Sequence, residues 1–512
     1  MNKKIPILFV LPYFQNWYFR LLTSEVLIGN ISPAIPYLRG FLKNNGIDSA
    51  AVNLNKIIIE ADQNNNHFTP RLKLLITGQK EMPSQESSDM ANLLNDFVSR
   101  NKDKIWETIK KMAFFDDIIK ENLLPYAPFQ YVGISVTNLS QLLFSLKVVA
   151  YIRSSYKKDV KIIFGGVFIT ENISELIILL EQNPIVDYLV IGEGESALTE
   201  LIRGGENAEI PNLIYLEDGR YVFSKRLNYS ENAANLPAPF YEDENIVYIH
   251  SARRCYWGKC IFCHHDSNVF TNKYIFKKPG DVINDIIQVK KNLKRNPELF
   301  IFTDKCLSVA FLKEFSGEII RNKIKAKFAC FLKFEKKLDY ETLKLIKSAG
   351  FVFLDFGLET SSSRLLKLLN KNIDINSATK IIEICGKLRF RIIIIDMMIG
   401  LPTQMKKELE DDLLYMLKII QKYENIEFNI HPLTVFKDSV LYRDPQKYKI
   451  RLLSVNEKIS FVGNYFSQPF SQIDKKAIST QEAVTIYNEF RRRHGLRPEQ
   501  WDLRKAQLLE TA

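Results

Sequence analysis

Over the first 205 residues, short apolar runs alternate with segments of helical spacing. Ile5–Leu11 is a continuous apolar run, as expected of a strand covered on both faces. Pro33–Lys43 suits a helix, and Ser49–Asn55 reads as a second strand after the Asn45-Gly46 turn. Residues 56–128 interrupt the rhythm with a polar stretch and then helical periodicity, as over Met90–Ile118. The alternation resumes with strand Tyr131–Val136, helix Leu142–Tyr156, strand Val160–Phe164, helix Ile173–Leu180, strand Tyr188–Ile191 and helix Ser196–Ile202. Such repeats imply right-handed crossovers and a parallel, doubly wound sheet. Asn212–Lys225 reads as a hairpin turning at Asp218-Gly219. An Asn-, Ala- and Pro-rich linker, Tyr229–Phe240, marks a domain boundary.

The alternation restarts at Ile246. Strands are expected at 246–251, 298–302, 326–332, 351–356, 391–397 and 426–431. Helices are expected at Val282–Leu293, Val309–Asn322, Tyr340–Ala349, Ser362–Leu369, Ile375–Leu388 and Lys407–Tyr423. Six βα units make a partial or full barrel, with its chemistry at the C-terminal strand ends. The pattern therefore divides the chain into a Rossmann-like domain (1–205), a hairpin and linker (206–245), a (β/α)6 partial barrel (246–440) and a small, mainly helical C-terminal cap (441–512). In the cap, Ser479 and Glu482 have capping-box spacing.

Composition adds mostly exclusions. With 46% hydrophobic and 25% charged residues, the 512-residue chain is not disordered over most of its length. No apolar stretch approaches the ~18 residues of a membrane span. The apolar run near Met1 contains prolines and lacks a small-residue cleavage site, so it reads as a strand and the expected location is cytoplasmic. A net charge of +11 favours anionic partners in general, but it is spread over a chain rich in Lys, Asn and Ile. The Arg491-Arg492-Arg493 run reads as a solvated helix face.

Six cysteines cannot form a disulfide scaffold in a chain this long. Cys255, Cys260 and Cys263 fall within nine residues, on the loop after the first barrel strand; Cys306, Cys330 and Cys385 are scattered. Three thiolates can hold iron or zinc, and a [4Fe–4S] cluster on three cysteines leaves one iron open to a ligand. The competing reading is a structural zinc site completed by His264 or His265. Such sites usually close with a distant second ligand pair, and none is visible.

These cysteines, with aromatic Phe262 before the last and six βα units behind them, resemble the radical S-adenosylmethionine (SAM) enzymes. The family spacing is C-x3-C-x2-C; here it is C-x4-C-x2-C, with an extra residue beside Gly258. The resemblance implies that Asp304, ending the second barrel strand, contacts the methionine moiety of SAM. It places Glu359, in Gly357-Leu358-Glu359, at the ribose, and Phe262 near the adenine. Gly400, in Gly400-Leu401-Pro402-Thr403, is similar to the family's adenine-side turn. Read singly, these residues suit helix caps and turns; it is their order at successive strand ends that carries the likeness.

The first region resembles the cobalamin-binding domain that precedes the barrel in one branch of these enzymes. Thr137 and Leu139 take the place of an S-x-L element, Gly165-Gly166 line the pocket of the nucleotide tail, and Gly192 and Gly194 follow at the next strand end. Glycines there allow close backbone approach to a ligand. The D-x-H-x-x-G motif that supplies a cobalt-ligating histidine is missing; His67 lacks that context. Tyr13–Trp17 and the 56–128 insertion are candidates to cover the lower cobalt face.

The resemblance implies a cobalamin-dependent enzyme that cleaves SAM to a 5′-deoxyadenosyl radical and methylates an unactivated carbon of a peptide or small molecule. It would draw electrons from an external donor such as flavodoxin or ferredoxin. The alternatives are radical rearrangement or cyclisation without methyl transfer, and a non-catalytic cobalamin or iron–sulfur protein. Thiomethylation of transfer RNA needs a second cluster, and residues 1–254 hold no cysteine, so nucleic acid is not an expected partner. The segment from His431 to Tyr448 faintly resembles barrel ends of peptide maturases.

Overall fold

The computed structural model describes residues 5–12, 33–63, 71–72, 75, 104–156, 160–227, 235–263, 274–436, 439–453 and 470–496. Tyr13–Trp17, His67, residues 90–103 of the insertion, His264 and His265 lie outside them.

The first sheet contains β1 (Ile5–Leu11), β2 (Ser49–Asn53), β3 (Phe129–Ser135), β4 (Lys161–Gly165), β5 (Tyr188–Val190), β6 (Leu213–Glu217) and β7 (Arg220–Phe223). Its order is β2-β1-β3-β4-β5-β6-β7, with β1 to β5 parallel. The strand order reverses between β1 and β3, the switch point beyond which ligands bind in such sheets. The hairpin expected at 212–225 is not a separate linker element. It extends this sheet, β6 pairing antiparallel to β5, so the domain continues past residue 205. Asp218 (φ 46°) and Gly219 (φ 81°) make the two-residue turn.

The interrupting segment has a packing role. Helix Ser140–Tyr156 is buried nearly all round because it lies between the sheet and the helices Ile105–Lys111 and Asp116–Leu123. Buried Lys147 on the long helix pairs with Asp116 at 2.5 Å. Helix Ala34–Asn44 covers the other face and carries the link to the second domain: Phe240 N donates to Pro36 O, and Arg39 meets Glu242 at 2.9 Å. A Cβ on Gly40 would stand 2.2 Å from Ala238 O, so only glycine lets the linker press against the helix.

The second domain opens with β8 (Ile246–Ile249), followed by the short antiparallel pair β9 (Ala252–Arg253) and β10 (Ile275–Phe276). The barrel continues with β11 (Leu299–Phe302), β12 (Phe328–Lys333), β13 (Phe351–Glu359), β14 (Ile392–Ile399) and β15 (Ile426–Pro432). Its sheet has the order β15-β14-β13-β12-β11-β8, all parallel. Side chains alternate along each strand. Leu354, Phe356, Ile393 and Ile395 pack outward under the helices, while Tyr248, Ile301, Ala329, Phe353 and Ile394 plug the base of the barrel interior. Among its described residues the cap is mainly helical, as expected. Helix Thr480–Arg493, with the expected Ser479/Glu482 capping box, accompanies a two-stranded ribbon of β16 (Ile450–Leu452) and β17 (Phe470–Gln472).

Candidate active site at the barrel mouth

Cys255, Cys260 and Cys263 sit half-buried on the loop leaving β9. Arg254 (φ 75°), just before Cys255, and Gly258 (φ 55°), within the longer first gap, take left-handed conformations. The loop is strapped to the segment after helix Ser363–Leu368. Trp257 Nε1 donates to Asn370 O at 3.0 Å, Asn370 Nδ2 donates to Lys259 O at 2.8 Å, and Ile261 N donates to Leu369 O at 3.2 Å. Burial pushes the Cys260 thiol up to about 12; Lys371 opposes this, while Glu359, Cys263 and Cys255 add to it.

Among the described residues, no three Cys, His, Asp or Glu side chains stand together in metal-binding geometry. The donor chemistry nevertheless fits an iron–sulfur cluster. Three thiols on one strapped loop act electrostatically on one another beside a lysine, and a metal lowers thiol pKa enough to deprotonate them. Cys306, distant in sequence, is buried close enough to Cys255 and Tyr256 to feel both.

Behind the loop, the resemblance-derived carboxylates occupy strand ends. Asp304 is buried and accepts from Ser251 N at 2.9 Å and Ser251 Oγ at 2.6 Å, so it braces the start of the cysteine loop. Glu359 (φ 75°) forms a buried ion pair with Lys371, a residue that no sequence motif singles out. A Cβ on Gly357 would stand 2.7 Å from Lys371 Nζ and 2.8 Å from Glu359 Oε1, so a side chain there would displace the ion pair. Lys371 Nζ also lies 5.6 Å from the centre of the Phe262 ring. Gly400 (φ 70°) packs under Thr480 of the cap helix, where a Cβ would be 3.0 Å from its Cα. Gly400 N donates to Gln404 Oε1, whose amide reaches Asp412; Asp412 in turn accepts from Thr360 and Ser361. That network ties the ends of β13 and β14 together.

One layer above the apolar plug, Asp355 of β13 and Asp396 of β14 face one another, and Asn429 Nδ2 donates to Asp396 at 2.8 Å. Neither Asp355 oxygen has a hydrogen-bond donor among the described residues. Burial, then the charge of Asp396, raises Asp355 well above the carboxylate range; burial, then Glu359, raises Asp396 to about 6. Asp304 and Asp412 are likewise raised by burial to about 6. Between pH ~4 and ~6 the folded chain therefore holds more protons than the unfolded one, so stability falls as pH rises through that window. We expect the apoprotein to resist guanidinium better at pH 5.5 than at 7.5. Asp355→Asn should reduce that difference, leaving the part due to Asp304, Asp396 and Asp412, and add ~1–3 kcal/mol at pH 7.5. A variant with unchanged pH dependence would show that the two carboxyls do not share a proton.

At the C-terminal ends of β3, β4 and β5, facing the barrel, lies a cavity of about 300 Å³. Gly165, Gly166, Gly192 and Gly194 line it, as do Gly133 and Ser135. Thr137 and Leu139 do not: Thr137 N and Oγ1 bond Gln141 Oε1, and Leu139 is buried in the core. The S-x-L likeness thus marks residues that start helix Ser140–Tyr156. Gly166 has φ 104°, and a Cβ there would stand 2.4 Å from Val136 O, so the fold itself requires this glycine. Gly165 and Gly194 would meet their nearest atoms at 3.6 and 3.5 Å, leaving them without a comparable steric requirement. Across the mouth, Arg253 from the barrel side pairs with Glu193 and Glu195, each at 2.5 Å.

Residues 249–416 match the family model of the radical SAM superfamily. That segment is a radical SAM domain, which implies a [4Fe–4S] cluster and SAM. Its full two-domain fold is similar to that of the cobalamin-dependent SAM radical enzyme OxsB, solved with aqua-cobalamin and SAM bound (13% identity, TM-score 0.61), covering 94% of this chain and 66% of OxsB. It is also similar to TsrM, a radical SAM methyltransferase from Kitasatospora setae. The TsrM structure with cobalamin and a [4Fe–4S] cluster aligns at 12% identity and TM-score 0.59, covering 95% of this chain and 89% of TsrM. The TsrM structure with tryptophan and a SAM analogue aligns at 13% identity and TM-score 0.57, covering 89% and 79%. At these identities the likeness is one of fold. A comparison with curated protein sequences finds no significant match. Among the described residues, no helix is long and apolar enough to cross a membrane.

Proposed function

We propose that the chain is a cobalamin-dependent radical SAM enzyme that methylates an unactivated carbon of a peptide or small molecule. The observation that carries this reading is the glycine-lined cavity at the switch point of the first sheet, facing a barrel mouth that holds three loop cysteines. The cavity fits an extended ligand tail, because five of its lining positions are glycines that present backbone without a side chain.

When bound, the cluster supplies reductive cleavage of SAM, and cobalamin supplies a transferable methyl group. The chain's own part is positioning. Cys255, Cys260 and Cys263 hold the cluster, and Asp304 fixes their loop through Ser251. Glu359 and Lys371 present one negative and one positive group beside Cys260, suited to the ammonium, carboxylate and hydroxyl groups of SAM. Phe262 lies beside the same lysine. Gly165, Gly192 and Gly194 admit the cobalamin tail.

The test is anaerobic reconstitution with iron and sulfide, followed by SAM and either dithionite or reduced flavodoxin. Formation of 5′-deoxyadenosine and stoichiometric uptake of hydroxocobalamin are both expected. Gly194→Leu, which extends a side chain into the cavity, should abolish uptake and spare SAM cleavage. Cleavage by a wild-type protein that ignores hydroxocobalamin and methylcobalamin would overturn the methyltransferase reading in favour of a cobalamin-independent radical reaction. Cobalamin uptake with 5′-deoxyadenosine but no methylated product, once a substrate is found, would favour rearrangement.

A further inference from the structure

The short segment between β8 and Cys255 ties the second domain to the wall of the first-domain cavity. His250 stacks on Tyr37 of the first domain, 3.9 Å between ring centroids, and its backbone N donates to Tyr37 Oη at 2.8 Å. Three residues on, Arg253 of β9 reaches Glu193 and Glu195 of the first domain, each at 2.5 Å. The three side chains are 19%, 16% and 5% exposed, so the contact is largely closed to water. Burial works against the charge on Arg253, yet Glu195 and then Glu193 hold its pKa above the ordinary arginine value. Breaking such a contact is costly, because the charge left behind has neither water nor a partner, so the three groups keep their places.

What stands at each end gives this contact its consequence. Glu193 lies between Gly192 and Gly194, and all three line the cavity, as Glu195 and Arg253 do. Glycine on both sides widens the backbone freedom of Glu193, and a ligand lying on that wall removes it. At the other end, β9 leaves a braced point: Asp304 accepts from Ser251 N and Oγ, at 2.9 and 2.6 Å. Only Arg254, with φ 75°, separates Arg253 from the first loop cysteine. The cavity wall and the start of the cysteine loop are thus two ends of one short ion-paired linkage, the kind of contiguous contact that carries energetic coupling between sites.

We propose that Arg253 couples the two cofactor sites: filling the glycine-lined cavity fixes Glu193 and Glu195 on Arg253 and so preorganises the cysteine loop. A loaded cysteine loop in turn tightens the cavity, since any factor that one ligand adds to the other's affinity is returned in full. Arg253 is a positioning residue in both directions. This rests on the cobalamin reading above and specifies how that site answers to the cluster.

Anaerobic equilibrium dialysis with hydroxocobalamin measures the coupling without turnover, on the apoprotein and on protein reconstituted with iron and sulfide. The reconstituted wild type should bind at least about fivefold more tightly than the apoprotein, the lower end of allosteric couplings. Arg253→Met should bring that ratio to about one. Glu193→Gln, which leaves Arg253 its contact with Glu195, should give a ratio in between, and it decides the matter if Arg253→Met does not fold. Iron release to a chelator supplies the reciprocal reading: hydroxocobalamin should slow it in the wild type and not in Arg253→Met. A merely structural role, or a direct contact between Arg253 and the ligand, would lower both affinities alike and leave the ratio intact. That result, or a wild-type ratio of one, would overturn the coupling and leave cobalamin dependence standing. A wild type that binds hydroxocobalamin in neither form would instead remove the reading on which the proposal rests.

Discussion

Replacing Cys255, Cys260 or Cys263 by alanine should give a folded protein that retains little iron and forms no 5′-deoxyadenosine. The wild type, reconstituted without oxygen, should hold about four irons per chain, the content of one [4Fe–4S] centre. The fold should survive because all three cysteines are half-exposed. Their loop is independently anchored through Trp257, Ile261 and Asn370. Stability of the apo forms should therefore change by less than ~1 kcal/mol. Two controls separate ligation from packing. Cys385, fully buried in helix Ile375–Leu388, should cost ~1–2 kcal/mol as alanine and leave iron content alone. Cys306, buried near Cys255, should behave the same way if three thiols suffice. Iron lost with Cys306→Ala would mean four cysteine ligands and no open iron for SAM. Stoichiometric zinc that survives air in the wild type would end the radical reading altogether.

What could be read in the sequence, and what could not, divides along the range of the interactions. The β/α alternation is a local property, so the six barrel strands fall within two or three residues of their expected bounds. The hairpin turn is equally local, since Asp218-Gly219 suits two left-handed residues whatever surrounds it. Where the hairpin goes is not local: pairing β6 with β5 depends on an uncovered sheet edge, which periodicity does not reveal. The site divides in the same way. Three cysteines close in sequence announce themselves, whereas Lys371 stands twelve residues from Glu359 and becomes its partner only after helix Ser363–Leu368 turns the chain back. Asp355 and Asp396 are each unremarkable residues in apolar strands. Only the register of β13 against β14, with Asp355 opposite Ile394 and Asp396 opposite Gly357, makes them diagonal neighbours in the interior. His250 is the extreme case, a barrel residue whose surroundings belong to the other domain. Thr137 and Leu139 are the reverse case: a motif-like spacing whose residues lie at the start of a helix, outside the lining of the cavity.

Lys371→Met should destabilise the protein by ~3–5 kcal/mol, among the largest effects of any single substitution away from the apolar core. The reason lies in what remains. Glu359 is only 5% exposed, held in a left-handed backbone conformation at the end of β13, and loses the counter-charge it pairs with among the described residues. Burial opposes the charge on Lys371, yet Glu359 and Cys260 hold its pKa above the ordinary lysine value, so the attraction outweighs the desolvation. Glu359→Gln alone strands the lysine in the same way and should cost a similar amount. Combined, the two substitutions leave no buried charge, and the double variant should be destabilised less than either single variant, far below the sum of the two single losses. Guanidinium unfolding of the four apoproteins measures this cycle. Additive losses would show that the two side chains are independently solvated. SAM affinity gives a second reading on the same proteins. If the pair is the binding surface for the polar groups of SAM, the double variant should remain folded yet bind SAM at least about tenfold more weakly. A stable double variant with undiminished affinity would reduce Glu359 and Lys371 to a structural pair and move the SAM contacts to the Asp304 and Gly400 side of the mouth.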